Sequence, residues 1–236
     1  MTRIGMITPS SNTCLEPVTY RILSGVDDVS VHFSRLPVTT ITLDASAHFA
    51  AEPMLRAAEL LADARVDVQV WNGTSGSWLG AGHDEKLVHR LQEATGIPAT
   101  TSTLAMAQAF AVLGVKRLGL VTPYVGEVAA RMAEQYAQQG VAVVAEHHSG
   151  LTDNEAFASV PGADLAAMAR AVAHDVDAVA VVCTNLAAAP LVAGLEAELG
   201  VPVLDSVAVT LWQALRMTGW DRPIAGWGRL LDGRPS

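Results

Sequence analysis

The sequence predicts an α/β fold of two pseudo-symmetric, flavodoxin-like halves, each a parallel sheet flanked by helices, with the active site in the cleft between them. Three observations predict it. Segments of the first half return in the second; short continuous apolar runs alternate with longer segments of 3.6-residue periodicity; and Gly or Pro marks the joins. Continuous apolar strands separated by helices are the pattern of parallel sheets covered on both faces.

The elements follow in chain order. Arg3-Ile4-Gly5-Met6-Ile7-Thr8-Pro9 reads as a buried strand, and it reappears as Arg117-Leu118-Gly119-Leu120-Val121-Thr122-Pro123. Met54–Ala64 is the first long helix. Val66-Asp67-Val68-Gln69-Val70-Trp71-Asn72-Gly73-Thr74 matches Val176-Asp177-Ala178-Val179-Ala180-Val181-Val182-Cys183-Thr184, which sets Cys183 opposite Gly73. Further helices are expected over Asp84–Thr95, Val128–Gln139 and Asp164–His174, with Asp84-Glu85 and Asp164 complementing the helix dipole. Gly96-Ile97-Pro98-Ala99 matches Gly200-Val201-Pro202-Val203, each preceding an alanine-rich helical stretch. The halves are expected at residues 1–114 and 115–236, with the last helix, about 206–225, packing back on the first half. The polar residues in Thr8–Asn12, Gly73–Ser77, Thr122–Tyr124 and Cys183–Asn185 then lie at the carboxyl ends of strands, where open α/β sheets bind ligands.

Composition narrows the function. The chain has 236 residues, half of them hydrophobic, and a formal charge of −9. Its only lysines are Lys86 and Lys116 and it has no arginine cluster, which opposes nucleic-acid binding. The apolar region Ala178–Leu195 is interrupted by Thr184, Asn185 and Pro190, so no membrane span is expected. Nothing near Met1 reads as a signal peptide, which points to the cytoplasm, where Cys14 and Cys183 are expected to stay reduced.

The loop Asn72-Gly73-Thr74-Ser75-Gly76-Ser77 offers hydroxyls and backbone N–H groups suited to a carboxylate or phosphate oxygen, although the same composition serves a plain turn. It lacks a Walker lysine, and no G-x-G-x-x-G opens a helix, so no nucleotide cofactor is expected. Cys183 ends an apolar strand and is followed by Thr184-Asn185; its position opposite the polar loop favours a catalytic thiol over a packed one. Cys14 reads as packing. The 7 histidines form no metal-ligating set and read as surface residues, and the 5 tryptophans, which could line a pocket, read first as core or interface packing. Neither Ser75 nor Ser77 sits in a nucleophile elbow, which ranks a serine hydrolase low. A non-catalytic binder of small acids, with Cys183 merely packed, is the alternative outside enzymes.

Taken together, Pro9-Ser10-Ser11-Asn12-Thr13, Gly73-Thr74-Ser75, Thr122-Pro123-Tyr124, Asp153-Asn154, Cys183-Thr184 and the closing Gly226-Trp227-Gly228-Arg229-Leu230-Leu231 resemble the aspartate/glutamate racemase superfamily, in its maleate isomerase and arylmalonate decarboxylase branches. Racemases of that superfamily use two facing cysteines; here the first-half position is Gly73, a departure that resembles the decarboxylase branch. The resemblance implies a cofactor-independent decarboxylase of a malonate-like small dicarboxylic acid. Thr74, Ser75, Tyr124 and the Thr184 backbone N–H would hold one carboxylate, and Cys183 would protonate the enediolate. Asn12 and Asn154 instead match the isomerase branch, where such asparagines bind carboxylates. A maleate cis-trans isomerase-like enzyme, or a racemase or epimerase of a small dicarboxylate or amino acid, is therefore the alternative. The expected partner is a small carboxylic acid, with a homo-oligomer allowed and no metal or organic cofactor.

Overall fold

A computed structural model describes residues 1–43 and 51–233. Four strands, β1 (Thr2–Pro9), β2 (Val29–Leu36), β3 (Val68–Trp71) and β4 (Ala99–Thr101), form one parallel sheet in the order β2-β1-β3-β4. Another four, β5 (Arg117–Thr122), β6 (Ala142–His148), β7 (Ala178–Val181) and β8 (Val203–Asp205), form a second parallel sheet in the matching order β6-β5-β7-β8. The two-half α/β architecture read from the repeat is thus the architecture observed. Ile4, Met6 and Ile7 of β1, and Leu118, Leu120 and Val121 of β5, are wholly buried. Strands covered on both faces require such continuous apolar runs.

Helices α1 (Leu15–Ile22), α2 (Ala51–Asp63), α3 (Gly76–Leu79), α4 (Ala81–Thr95) and α5 (Ser102–Leu113) belong to the first half. α6 (Gly126–Gln138), α7 (Asn154–Phe157), α8 (Gly162–Ala171), α9 (Val192–Leu199) and α10 (Ser206–Met217) belong to the second. The repeated glycine of β1 and β5 has a packing reason. A Cβ on Gly119 would lie 2.3 Å from the Val172 carbonyl oxygen just past α8, and one on Gly5 would crowd Val66 and Leu61 at 3.0–3.3 Å. Each strand therefore lets the chain returning from its covering helix approach closely.

The helix boundaries differ from the periodicity reading by local backbone chemistry. α2 begins at Ala51, ahead of the expected Met54, because Pro53 is tolerated in a first turn, and the chain turns at Arg65 with φ 50. α4 starts at Ala81 because Gly80, φ 101, provides the break. α6 and α8 each begin two residues early; α8 stops at Ala171, short of His174, and Asp175 turns with φ 55. The last helix ends at Met217 and not near residue 225, since Gly219 takes φ 76.

α10 packs on α5, α1 and β3. It is the counterpart of α5, and the two are capped alike: Thr101 Oγ1 accepts from Leu104 N, Asp205 Oδ1 from Ala208 N. They meet where Thr210 Oγ1 donates to Ser102 Oγ at 2.9 Å. A second seam joins the halves on the other side, where Ile41 N donates to Thr152 O and Asn154 N to Thr39 O, both at 2.9 Å. Among the described residues no helix is long and apolar enough to cross a membrane.

Candidate active site

At the carboxyl ends of β3 and β7 the two halves enclose a cavity of about 20 Å³, room for about one water. Its walls include Gly73, Thr74, Ser75, Tyr124, Asn154, Cys183 and Thr184, with Trp71, Asn72 and Trp78, and Pro9, Val38 and Ile41 beside them. The structure thus brings together seven of the eight residues singled out in the sequence. Asn12 is not in the wall. Its Oδ1 accepts from Cys14 N and Leu15 N, holding the start of α1, and its Nδ2 donates to Thr184 Oγ1 at 3.1 Å.

The hydroxyls are used unequally. Thr184 Oγ1 donates to the Asn72 carbonyl at 2.9 Å, linking the halves. Thr74 Oγ1 and Tyr124 OH are 2.7 Å apart and share one hydrogen bond. Ser75 Oγ is buried with no hydrogen-bond partner among the described residues. A buried hydroxyl left unbonded costs about 1–3 kcal/mol, so a donor held in that state is ready for an incoming oxygen. Asn154 Nδ2 donates to Ser11 Oγ at 2.8 Å, and Ser11 Oγ to Val38 O at 2.6 Å.

Cys183 is 3% exposed, and Asn185 N donates to its Sγ at 3.3 Å. Burial pushes the thiol up to about 11, against the opposing hydrogen bonds from Tyr124 and Asn185 N. It is therefore a neutral S–H at pH 7. Burial also holds the Tyr124 phenol well above its ordinary range, so it stays a neutral donor. Cys14, read from sequence as packing, is a buried free thiol outside the cavity wall; burial and the neighbouring Asp205 and Cys183 raise it to about 12.

Sequence reasoning missed Asn185, whose Oδ1 accepts from Thr13 N and Cys14 N while its Nδ2 donates to the Asn154 carbonyl. It ties three loops around the thiol. Trp71 and Trp78 were read as packing, yet both also line the cavity. Neither Ser75 nor Ser77 pairs with a histidine among the described residues: Ser77 Oγ accepts from Tyr136 at 3.1 Å. His89, His147 and His174 are exposed and His32, His83 and His148 half-buried, while His48 lies outside the described residues.

Two further carboxyls are buried at the same sheet edges. Thr101 Oγ1 donates to Asp84 at 2.5 Å. Burial raises Asp84 from 3.8 to about 6 and Asp205 from 3.8 to about 7, in each case against hydrogen bonds that favour the charge. Their pKa values are higher folded than unfolded, so each contributes stability that is complete below pH 3.8 and is lost as pH rises through 6 and 7. Shifts of this size are worth roughly 3–4 kcal/mol each. Urea midpoints are accordingly expected to fall between about pH 4 and 7, and to fall less in Asp205→Asn and Asp84→Asn; an unchanged slope in both variants refutes the assignment.

With that geometry established, the family model for arylmalonate decarboxylase matches residues 4–231. The chain belongs to the arylmalonate decarboxylase family. It is 35% identical over 167 residues to the arylmalonate decarboxylase of Bordetella bronchiseptica, covering 68% of this chain and 69% of that protein. It is 29% identical to the maleate isomerase of Pseudomonas putida, over 98% of this chain and 97% of the other. Among solved structures, a mutant of Nocardia farcinica maleate cis-trans isomerase with a covalently bound succinylcysteine intermediate superposes with TM-score 0.91, at 25% identity and 98% coverage of both chains. These relatives are enzymes of small carboxylic acids, and the isomerase mutant carries a covalently bound succinylcysteine intermediate.

Proposed function

We propose that this protein is a cofactor-independent decarboxylase of a malonate-like small dicarboxylic acid. One observation carries the reading: the cavity holds a single thiol, Cys183, facing Gly73-Thr74-Ser75 where a second thiol would stand in a two-base enzyme. In the proposed reaction Ser75 Oγ, Thr74 Oγ1, Tyr124 OH and the Thr184 backbone N–H hold one carboxylate. The bond from the α-carbon to the other carboxylate breaks and CO2 leaves. The electron pair passes to the α-carbon and onto the held carboxylate, giving an enediolate that the hydroxyls stabilise as charge develops. The S–H of Cys183 then breaks, its proton goes to the α-carbon, and the thiolate takes a proton from water. The retained carboxylate is the electron sink, so the chemistry asks for no metal or organic cofactor.

The neutral state of Cys183 supports a proton donor over a nucleophile. Incubating the purified protein with malonates is expected to release CO2 and to incorporate one solvent deuterium at the α-carbon. Silence across alkyl- and aryl-malonates would sink this reading. Asn154 in the wall, and Asn12 bonded to Thr184, favour the second reading, cis-trans isomerisation of a maleate-like diacid. Fumarate formed from maleate, without CO2, would select it.

A further inference from the structure

We infer that Trp71 sets the substrate size of this site: its indole stands where a side chain on residue 73 would stand, so the acids accepted carry only a small substituent on the carbon between their carboxylates. The inference rests on the decarboxylase reading for the identity of those acids, but not for the geometry. A Cβ added to Gly73 would lie 2.3 Å from Trp71 Cε2, 2.4 Å from Cζ2 and 2.5 Å from Nε1. The indole is therefore laid against the Gly73 Cα and fills the first-half counterpart of the Cys183 side chain.

The internal repeat shows what is unusual about this. Trp71 corresponds to Val181 and Gly73 to Cys183. On the second-half side a small valine precedes a residue with a reactive side chain; on the first-half side the largest side chain precedes a residue with none. Both Trp71 and Cys183 line the cavity, so the indole takes up wall space beside the thiol that a larger substituent on the substrate would need. Trp71 is wholly buried at the end of β3, paired in register with Ile7 and Thr101 on the neighbouring strands. Close packing of that kind gives a ring little room to swing aside, and an aryl substituent on the substrate would have to displace it. A hydrogen or methyl group asks for less of that space. The same contact means that Gly73→Cys alone cannot seat a second thiol.

The test compares methylmalonate with phenylmalonate on wild type and Trp71→Leu, by CO2 release and by ligand-induced Tm shift. Wild type is expected to respond to methylmalonate and not to phenylmalonate. In Trp71→Leu the phenyl-to-methyl ratio of kcat/KM should rise by about 10–200-fold, and phenylmalonate should raise Tm. If Trp71→Leu does not fold, Trp71→Phe, with a smaller ring, is read in the same way. An unchanged ratio and unchanged Tm shifts, or a wild type that takes phenylmalonate as readily as methylmalonate, overturns the inference. If no malonate is decarboxylated but the Tm discrimination still relaxes on substitution, the wall stands and the decarboxylase reading falls. Absence of any Tm shift from either acid in both proteins overturns both.

Discussion

Cys183→Ala is expected to lower turnover of a malonate by about 10²–10⁴-fold, the usual contribution of a positioned general acid. The substitution removes the cavity's one S–H and the acceptor for Asn185 N, but little volume, so Tm should move modestly. Cys183→Ser tests the chemistry more narrowly: the hydroxyl can still accept from Asn185 N but is a far weaker acid, and turnover should stay near the alanine level. Cys14→Ala is the control, since Cys14 lies outside the cavity wall. The pH profile separates proton donor from nucleophile. With its pKa raised to about 11, Cys183 is a thiol across the neutral range. A donor is active below its pKa and loses activity above it, so the alkaline limb of kcat/KM should lie above pH 9. A nucleophilic thiolate predicts the reverse, a rate that rises with pH through the same region. Wild-type activity in Cys183→Ala would return the thiol to the role of a packed side chain.

The correspondence between Gly73 and Cys183 was legible because a parallel strand and the first residues of its loop are local in sequence, so a repeated fold repeats them together. The placing of Thr74, Ser75, Tyr124 and Thr184 in loops at strand ends was legible from the same local pattern, while the carboxylate-holding part expected of them came from the resemblance to the family. The residues that close the site were not. The pairing of Ile41 with Thr152, and of Thr39 with Asn154, joins irregular segments far apart in the chain and leaves no periodic trace. Asn185 stands two residues after Cys183, but its side-chain amide serves Thr13, Cys14 and Asn154, partners that only the fold brings near. Asn12 shows the converse. Its match to the isomerase branch suggested a ligand for a carboxylate, while its position just before a helix has its side chain capping backbone N–H groups, a competing use that asparagine fills readily. Trp71 was hidden by its own chemistry, because a buried indole at a strand end is ordinary packing until the space beside Gly73 is measured.

Ser75→Ala is expected to cut kcat by about 10²–10³-fold, the cost of losing one preaimed donor to a developing oxyanion, while leaving stability unchanged or slightly raised. The two directions together identify the role. A structural serine bonded within the fold would lose stability on truncation, typically by about 0.5–1.5 kcal/mol per net hydrogen bond. Ser75 Oγ has no such bond to lose, and alanine removes a buried polar atom that the resting protein leaves unsatisfied. Thr74→Val provides the contrast. Thr74 Oγ1 shares a hydrogen bond with Tyr124 OH, so its removal should lower both activity and Tm. If the hydroxyls act on a charge that grows in the transition state, Ser75→Ala should change kcat much more than the affinity for a non-reacting diacid. Equal losses in both would make Ser75 a ground-state binding residue, and full activity in Ser75→Ala would remove it from the site.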